Sequence, residues 1–130
     1  MTSVEAAILR AVNATRVAHG APPLRFDPTL ERAARAHTSR MMRTGVFAHG
    51  NFAARMARFH VRGPAMGENL AWGGGPYGTP ASIIATWMGS PAHRANLLRR
   101  GFRRIGIGAV VGAFAGESRA TVVTADFAGR

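Results

Sequence analysis

The chain has 130 residues and a mass of 13.8 kDa, enough for one domain with its own hydrophobic core. An apolar fraction of 47% excludes a disordered chain, and a mean hydropathy of 0.00 with no apolar run near ~18 residues excludes a membrane-filling one. Cysteine is absent, which excludes disulfides, iron–sulfur clusters, thiolate zinc sites and a cysteine nucleophile, and a formal charge of +11 excludes a neutral surface.

The first residues, Met1 to Glu5, have neither the basic start nor the apolar run of a signal peptide. The expectation is a cytoplasmic protein or a mature domain that has lost its leader. Thr2 or Ser3 can cap a helix whose face carries Val4, Ile8, Val12 and Thr15, with Gly20 as its stop. Pro22-Pro23 forces an extended connection. Asp27-Pro28 then reads as N-cap and first helical residue. Leu30, Ala33, Ala34, His37 and Met41 share a face of that helix, which Gly45 ends. A short helix follows Asn51, with Met56 and Phe59 inward.

Residues 60 to 78 are rich in glycine and read as irregular. Thr79-Pro80 and Ser90-Pro91 each open a further helix. Ile105, Ile107, Ala109 and Val111 alternate as a strand, residues 112 to 118 read as a hairpin loop, and Thr121 to Phe127 as the returning strand. Helices first and strands last predict an α+β domain with an antiparallel sheet.

Carboxylates are scarce, so each needs a reason. Asp27 serves as a cap, Glu5 and Glu31 lie near helix starts, and Glu117 falls in the hairpin. Glu68, in Met66-Gly67-Glu68-Asn69-Leu70, sits between apolar neighbours and needs a partner. An arginine would satisfy it, and Arg16 is one candidate; a polar site with histidines is the alternative. His19 and His60 read as surface groups and His37 as a core histidine. His49 follows a helix stop. His93 lies in a first helical turn, where the dipole favours the neutral imidazole of a base or metal ligand. Two histidines and a carboxylate suit an open zinc site. They come from three separate segments, however, without the local spacing of a metalloenzyme motif.

At these residues the chain resembles a known family. Asn13-x-x-Arg16-x-x-x-Gly20, Leu30-x-x-Ala33-Ala34-x-x-His37, Phe47-Ala48-His49 and Gly67-Glu68-Asn69-Leu70-Ala71 occur in order. Trp87-Met88-x-Ser90-Pro91-x-His93-Arg94-x-Asn96-Leu97-Leu98 follows, then Gly106-Ile107-Gly108 and Ala125-Asp126-Phe127. Together they resemble a bacterial domain of the CAP superfamily, the cysteine-rich secretory, antigen 5 and pathogenesis-related class-1 proteins. The resemblance implies a three-layer α-β-α sandwich with a central antiparallel sheet, over residues 1–130. It implies a cleft with His49, Glu68 and His93 as candidate catalytic residues, and Asn69, Trp72, Ser90 and Asp126 as further lining. It also implies zinc or another divalent metal, with His49 and His93 as ligands. Ser90 stands where eukaryotic members usually carry Glu, and nothing in residues 114 to 124 matches their second histidine.

The resemblance further implies an exported or envelope location, and a small molecule, lipid or cell-wall polymer as ligand. Metal-assisted hydrolysis is an alternative. There is no Gly-x-Ser-x-Gly; Ser90 reads as an N-cap, and Asp126 is the one candidate for a second carboxylate beside Glu68. A second alternative rests on charge. All 17 basic residues are Arg, against six acidic ones. A GC-rich genome accounts for the missing Lys but does not cancel the field. Arg99, Arg100, Arg103 and Arg104 surround Phe102 and suit an anionic polymer or membrane surface. No nucleic-acid fold motif accompanies them, so specific nucleic-acid binding is not expected. A monomer is expected.

Overall fold

Capping chemistry sets the helix starts. In the computed structural model, which describes residues 1–130, α1 (Ser3–Ala18) opens on Thr2. The Thr2 hydroxyl accepts from the Glu5 amide while Glu5 accepts from the Thr2 amide, a reciprocal box. Asp27 caps α2 (Pro28–Thr44) through the Thr29 and Leu30 amides, and Gly45 closes it in the left-handed conformation at φ 71°. Asn51 caps α3 (Phe52–Arg58) and Thr79 caps α4 (Pro80–Met88). Ser90 holds the N-cap position of α5 (Pro91–Leu98), but its hydroxyl makes no capping bond.

Four strands form one sheet in the order β1-β3-β4-β2. β3 (Arg104–Phe114) and β4 (Glu117–Ala128) are an antiparallel hairpin, tighter than the sequence suggests: only Ala115 and Gly116 lie between them. β2 (Met66–Gly74) pairs antiparallel with β4 along its whole length. This corrects the expectation that residues 60 to 78 are irregular. The two-residue β1 (Arg25–Phe26) adds parallel to β3, so the sheet is not purely antiparallel.

Alternation along the strands divides the core between two helical layers. Ile105, Ile107, Val123, Ala125 and Phe127 point toward α1, α4 and α5, where they meet Ile8, Val12, Ile83, Trp87 and Leu97. The opposite face packs on α2 and α3. Gly106 and Gly108 of β3 lie on that face, where α2 crosses at backbone contact. A Cβ on Gly106 would sit 2.1 Å from the Leu30 carbonyl carbon, and one on Gly108 would sit 2.7 Å from that of Ala34. Thr38 secures the same crossing by donating to the Gly108 carbonyl at 2.8 Å. The result is an α-β-α sandwich, as expected.

Arg16, fully buried under α1, does not meet Glu68. Its guanidinium donates to the carbonyls of Pro22, Leu97, Arg99 and Phe102 and so holds the end of α5.

Candidate functional site

Glu68 and Asp126 are cross-strand partners in the β2–β4 register, and Gly106 is the partner of Asp126 on the other side. Both acidic side chains therefore point to the face that α2 and α3 cover. Two carboxylates side by side in a protein interior need a cation. Arg55 of α3 supplies it. Its Nη2 donates to Glu68 Oε2, and its Nη1 donates to Asp126 Oδ2 at 2.5 Å and to the Ala33 carbonyl at 3.0 Å.

One guanidinium against two carboxylates leaves a negative charge unless one of them is protonated. Asp126 is the one whose protonated form is favoured. Complete burial, and then the adjoining Glu68, push its pKa well above the usual carboxylate range, and Arg55 only partly offsets them. Its Oδ1 has no hydrogen-bond partner.

The other oxygen of Glu68 faces outward. Oε1 accepts from Nδ1 of His49 at 2.7 Å. A carboxylate only accepts, so in the neutral ring the proton sits on Nδ1 and Nε2 carries the free lone pair. The His49 side chain is 54% exposed, while that of Glu68 is 3% exposed. His49 is thus a surface imidazole with a fixed tautomer. Its loop is pinned by His37, which donates from Nε2 to the Ala48 carbonyl at 2.7 Å. Burial lowers the His37 pKa more than this hydrogen bond raises it, which favours the neutral ring.

Beside His49 is a pocket of about 180 Å³. His37 and Arg40 of α2 and Arg55 and Arg58 of α3 line it, and no acidic side chain does. An aromatic ridge starts at Phe47, two residues before His49 in the chain. Phe47 meets Phe114 edge-on at 6.5 Å, and Phe114 meets Trp72 at 5.9 Å. Phe47 and Trp72 are 42% and 37% exposed.

His93 approaches from the other helical layer. Asn69 Nδ2 donates to the His93 carbonyl at 2.9 Å, and Asn96 Nδ2 donates to the Glu68 carbonyl and to Asn69 Oδ1. These bonds fasten the start of α5 to the strand that carries Glu68. His93 Nδ1 meets the Ser90 hydroxyl at 2.8 Å, which is why Ser90 does not cap the helix with its side chain. Burial, and then the neighbouring His49, lower the His93 pKa.

The structure therefore joins His49 directly to Glu68, and Glu68 to Asp126 through Arg55. It ties Asn69, Ser90 and His93 into a second group behind the same strand. Asp126 supports Glu68 from below and reaches no solvent. Trp72 belongs to the aromatic ridge. The donor set does not fit a three-ligand ion site: both Glu68 oxygens are engaged, and no three His, Asp or Glu side chains converge.

Arg99 lies over the Phe102 ring and Arg100 donates to the Gly20 carbonyl, both exposed like Arg103. Arg104 is tied to Asp27 at 2.6 Å and to the carbonyls of Arg62 and Gly129. Sequence reasoning missed Arg55, Arg40 and Arg58. The one available signal was that two buried acids need a cation; nothing in the sequence selected α3 as its source.

The model of the CAP family, described as the cysteine-rich secretory protein family, matches residues 9–127. The chain belongs to that family. It is 33% identical over 115 residues to the uncharacterised protein YkwD of Bacillus subtilis, covering 85% of this chain and 44% of that protein. It is 30% identical over 112 residues to the uncharacterised membrane protein YlbC of the same organism, covering 82% and 32%. The chain thus spans less than half the length of these curated relatives. Among solved structures, an extracellular SCP-domain protein of Bacillus anthracis superposes with a TM-score of 0.78 at 25% identity, covering 95% of this chain and 39% of that one. An outer surface protein of Borrelia burgdorferi has the same fold, with a TM-score of 0.70 at 20% identity and coverage of 95% and 90%. No helix here is long and apolar enough to cross a membrane.

Proposed function

We propose that this CAP domain works outside the cell, at the envelope, and binds a negatively charged cell-wall fragment in the pocket beside His49. The observation that carries this reading is the Glu68–His49 hydrogen bond in its basic surroundings. It fixes Nε2 as an acceptor for a ligand hydroxyl or amide, while Arg40 and Arg58 face a ligand carboxylate or phosphate. A lipid tail fits this pocket poorly, because Ala36 and Ala54 are its only apolar lining. The exposed rings of Phe47 and Trp72 suit the apolar face of a sugar. The extracellular setting is drawn from the Bacillus anthracis relative, which is described as extracellular.

The test is calorimetric titration with a muramic-acid-containing disaccharide peptide and with a neutral chitin oligosaccharide of equal length. Binding of the first alone, lost in Arg58→Ala and in His49→Ala, is the expected result. Equal affinity for both sugars, or binding untouched by either substitution, would contradict the reading.

A second reading is hydrolysis of the bound fragment. The same hydrogen bond would let His49 Nε2 take a proton from a water attacking an amide carbonyl of the fragment, while Glu68 stabilises the imidazolium, and then return that proton to the amine nitrogen as the C–N bond breaks. Product release by the wild type, abolished in His49→Ala and strongly reduced in Glu68→Gln, would support it. Recovery of the fragment intact after prolonged incubation with the wild type would end it.

A further inference from the structure

The field of the molecule is uneven. At the β1 edge of the sheet, three segments that are distant in sequence bring arginines together. Arg25 of β1 pairs with Arg104 of β3, and the Arg25 amide donates to the Arg103 carbonyl at 2.9 Å. The Arg104 guanidinium reaches across to the carbonyls of Arg62 and Gly129. Arg100 bonds the Gly20 carbonyl, and Arg99 rests on the Phe102 ring with its centroid 5.0 Å away.

Asp27 is the acid bonded in this cluster, and Arg104 already neutralises it. Arg25, Arg62, Arg99, Arg100 and Arg103 are exposed, and none of them has a carboxylate partner. The charges of Arg103 and Arg100 reach inward far enough to add to the burial that lowers the pKa of Arg16.

Arg16 and Arg104 hold these segments together and Arg99 and Arg100 add a contact each, but the side chains of Arg25, Arg62 and Arg103 bond nothing in the fold. We propose that the ridge formed by Arg25, Arg62, Arg99, Arg100 and Arg103 is a docking surface for a linear polyol-phosphate polymer of the cell envelope. The guanidinium fork matches phosphate oxygens, and five exposed forks borne on three separate segments suit a flexible chain of repeating phosphates, which can bend to reach each of them, better than a flat bilayer. Phe102, the ring at the centre of the 99–104 segment, is fully buried. It offers neither a face for a nucleic-acid base nor an anchor for acyl chains. The start of β3 that carries the ridge pairs with the end of β4, where Asp126 supports the His49 site, so a polymer held here runs along the same end of the sheet as the pocket.

The probe is purified poly(glycerol phosphate), labelled at one end and titrated by fluorescence anisotropy at 50 and 200 mM salt. Five phosphate contacts predict roughly a hundredfold weaker binding at the higher salt, by counterion release from a flexible chain. The triple variant Arg25→Gln, Arg100→Gln, Arg103→Gln keeps about two contacts, and its salt dependence should fall to roughly sevenfold. Arg10→Gln, Arg32→Gln, Arg43→Gln removes the same net charge from exposed helical positions elsewhere, and it should keep the wild-type dependence within about a factor of two. Circular dichroism melting identifies any variant that fails to fold; for such a variant the single substitution Arg103→Gln, at an exposed side chain outside every ion pair of the fold, is read instead.

Three outcomes would overturn the proposal. One is no binding of the polymer. Another is an equal loss in the two triple variants, which would reduce the effect to net charge. The third is tighter binding to single-stranded DNA or to anionic phosphatidylglycerol vesicles than to the polymer. None of these results bears on the His49 pocket, which the ridge variants leave intact.

Discussion

Arg55 is the side chain on which the site depends. It neutralises Glu68, holds Asp126 and anchors to the backbone of α2 in one planar group. Arg55→Ala leaves two buried carboxyls without a cation, and breaking a buried pair in this way costs about 3–5 kcal/mol. Urea denaturation at pH 7 should show that loss, with a smaller one for Arg55→Lys, whose ammonium cannot make the forked contact. A loss below about 1 kcal/mol would mean that the carboxyls find water or another partner. Glu68→Gln should leave the fold in place but free the His49 ring, because an amide no longer imposes one tautomer.

Asp126 adds a sign to the pH dependence. Its pKa is raised in the folded protein, so folding favours its protonated form. Its contribution is fully present below the ordinary aspartate value of 3.8 and is lost as pH rises through the folded pKa. The difference in stability between wild type and Asp126→Asn should therefore shift against the wild type as pH climbs from 4. A difference independent of pH would contradict a raised pKa.

At the scale of elements, the starts of the helices were legible in the sequence and β2 was not. Thr2, Asp27, Asn51 and Thr79 act on amides two or three residues away, so local sequence contains the whole interaction. The glycines of β2 answer to distant neighbours. A Cβ on Gly67 would lie 2.8 Å from the Phe102 ring, and one on Gly73 would lie 2.2 Å from the Tyr77 carbonyl oxygen. Tertiary contacts require glycine at these positions, and the glycines dilute the alternating pattern by which a strand is recognised. β1 is two residues long and pairs with a strand far along the chain, so it gave no periodic signal. Likewise the pairing of Glu68 with Asp126 follows from the β2–β4 register, which local residues do not reveal.

Gly106 tests the packing of α2. Alanine there would place a methyl 2.1 Å from the α2 backbone, which cannot rotate out of the way. Gly106→Ala should cost about 1–3 kcal/mol or more and displace α2, and with it the His37 and Arg40 side of the pocket. Chemical-shift changes confined to β3 would contradict that expectation.

For the whole molecule, composition foresaw the charge but not its distribution. Arg35 with Glu5, Arg55 with Glu68 and Asp126, and Arg104 with Asp27 absorb the acids that lie near them. The rest of the arginines face solvent, apart from the buried Arg16. Global stability should also respond to the histidines. His37 and His93 have folded pKa values below the ordinary 6.5, so the unfolded chain binds more protons as pH falls past that value. Their contribution is present above pH 6.5 and is lost as pH falls toward the folded values. Thermal melts from pH 7.5 to 5.5 should show a falling midpoint, with a shallower fall in His93→Gln.

The most direct measurement is of the His49 ring itself. Nitrogen-15 histidine spectra at pH 7.5 report which ring nitrogen carries the proton. The tautomer with the proton on Nδ1 is predicted for the wild type, with a mixture in Glu68→Gln. Addition of the muramic-acid-containing fragment should then move the Nε2 resonance. A wild-type His49 protonated on Nε2, or an Nε2 resonance unmoved at saturating fragment, would be incompatible with a ligand site built on the Glu68–His49 bond.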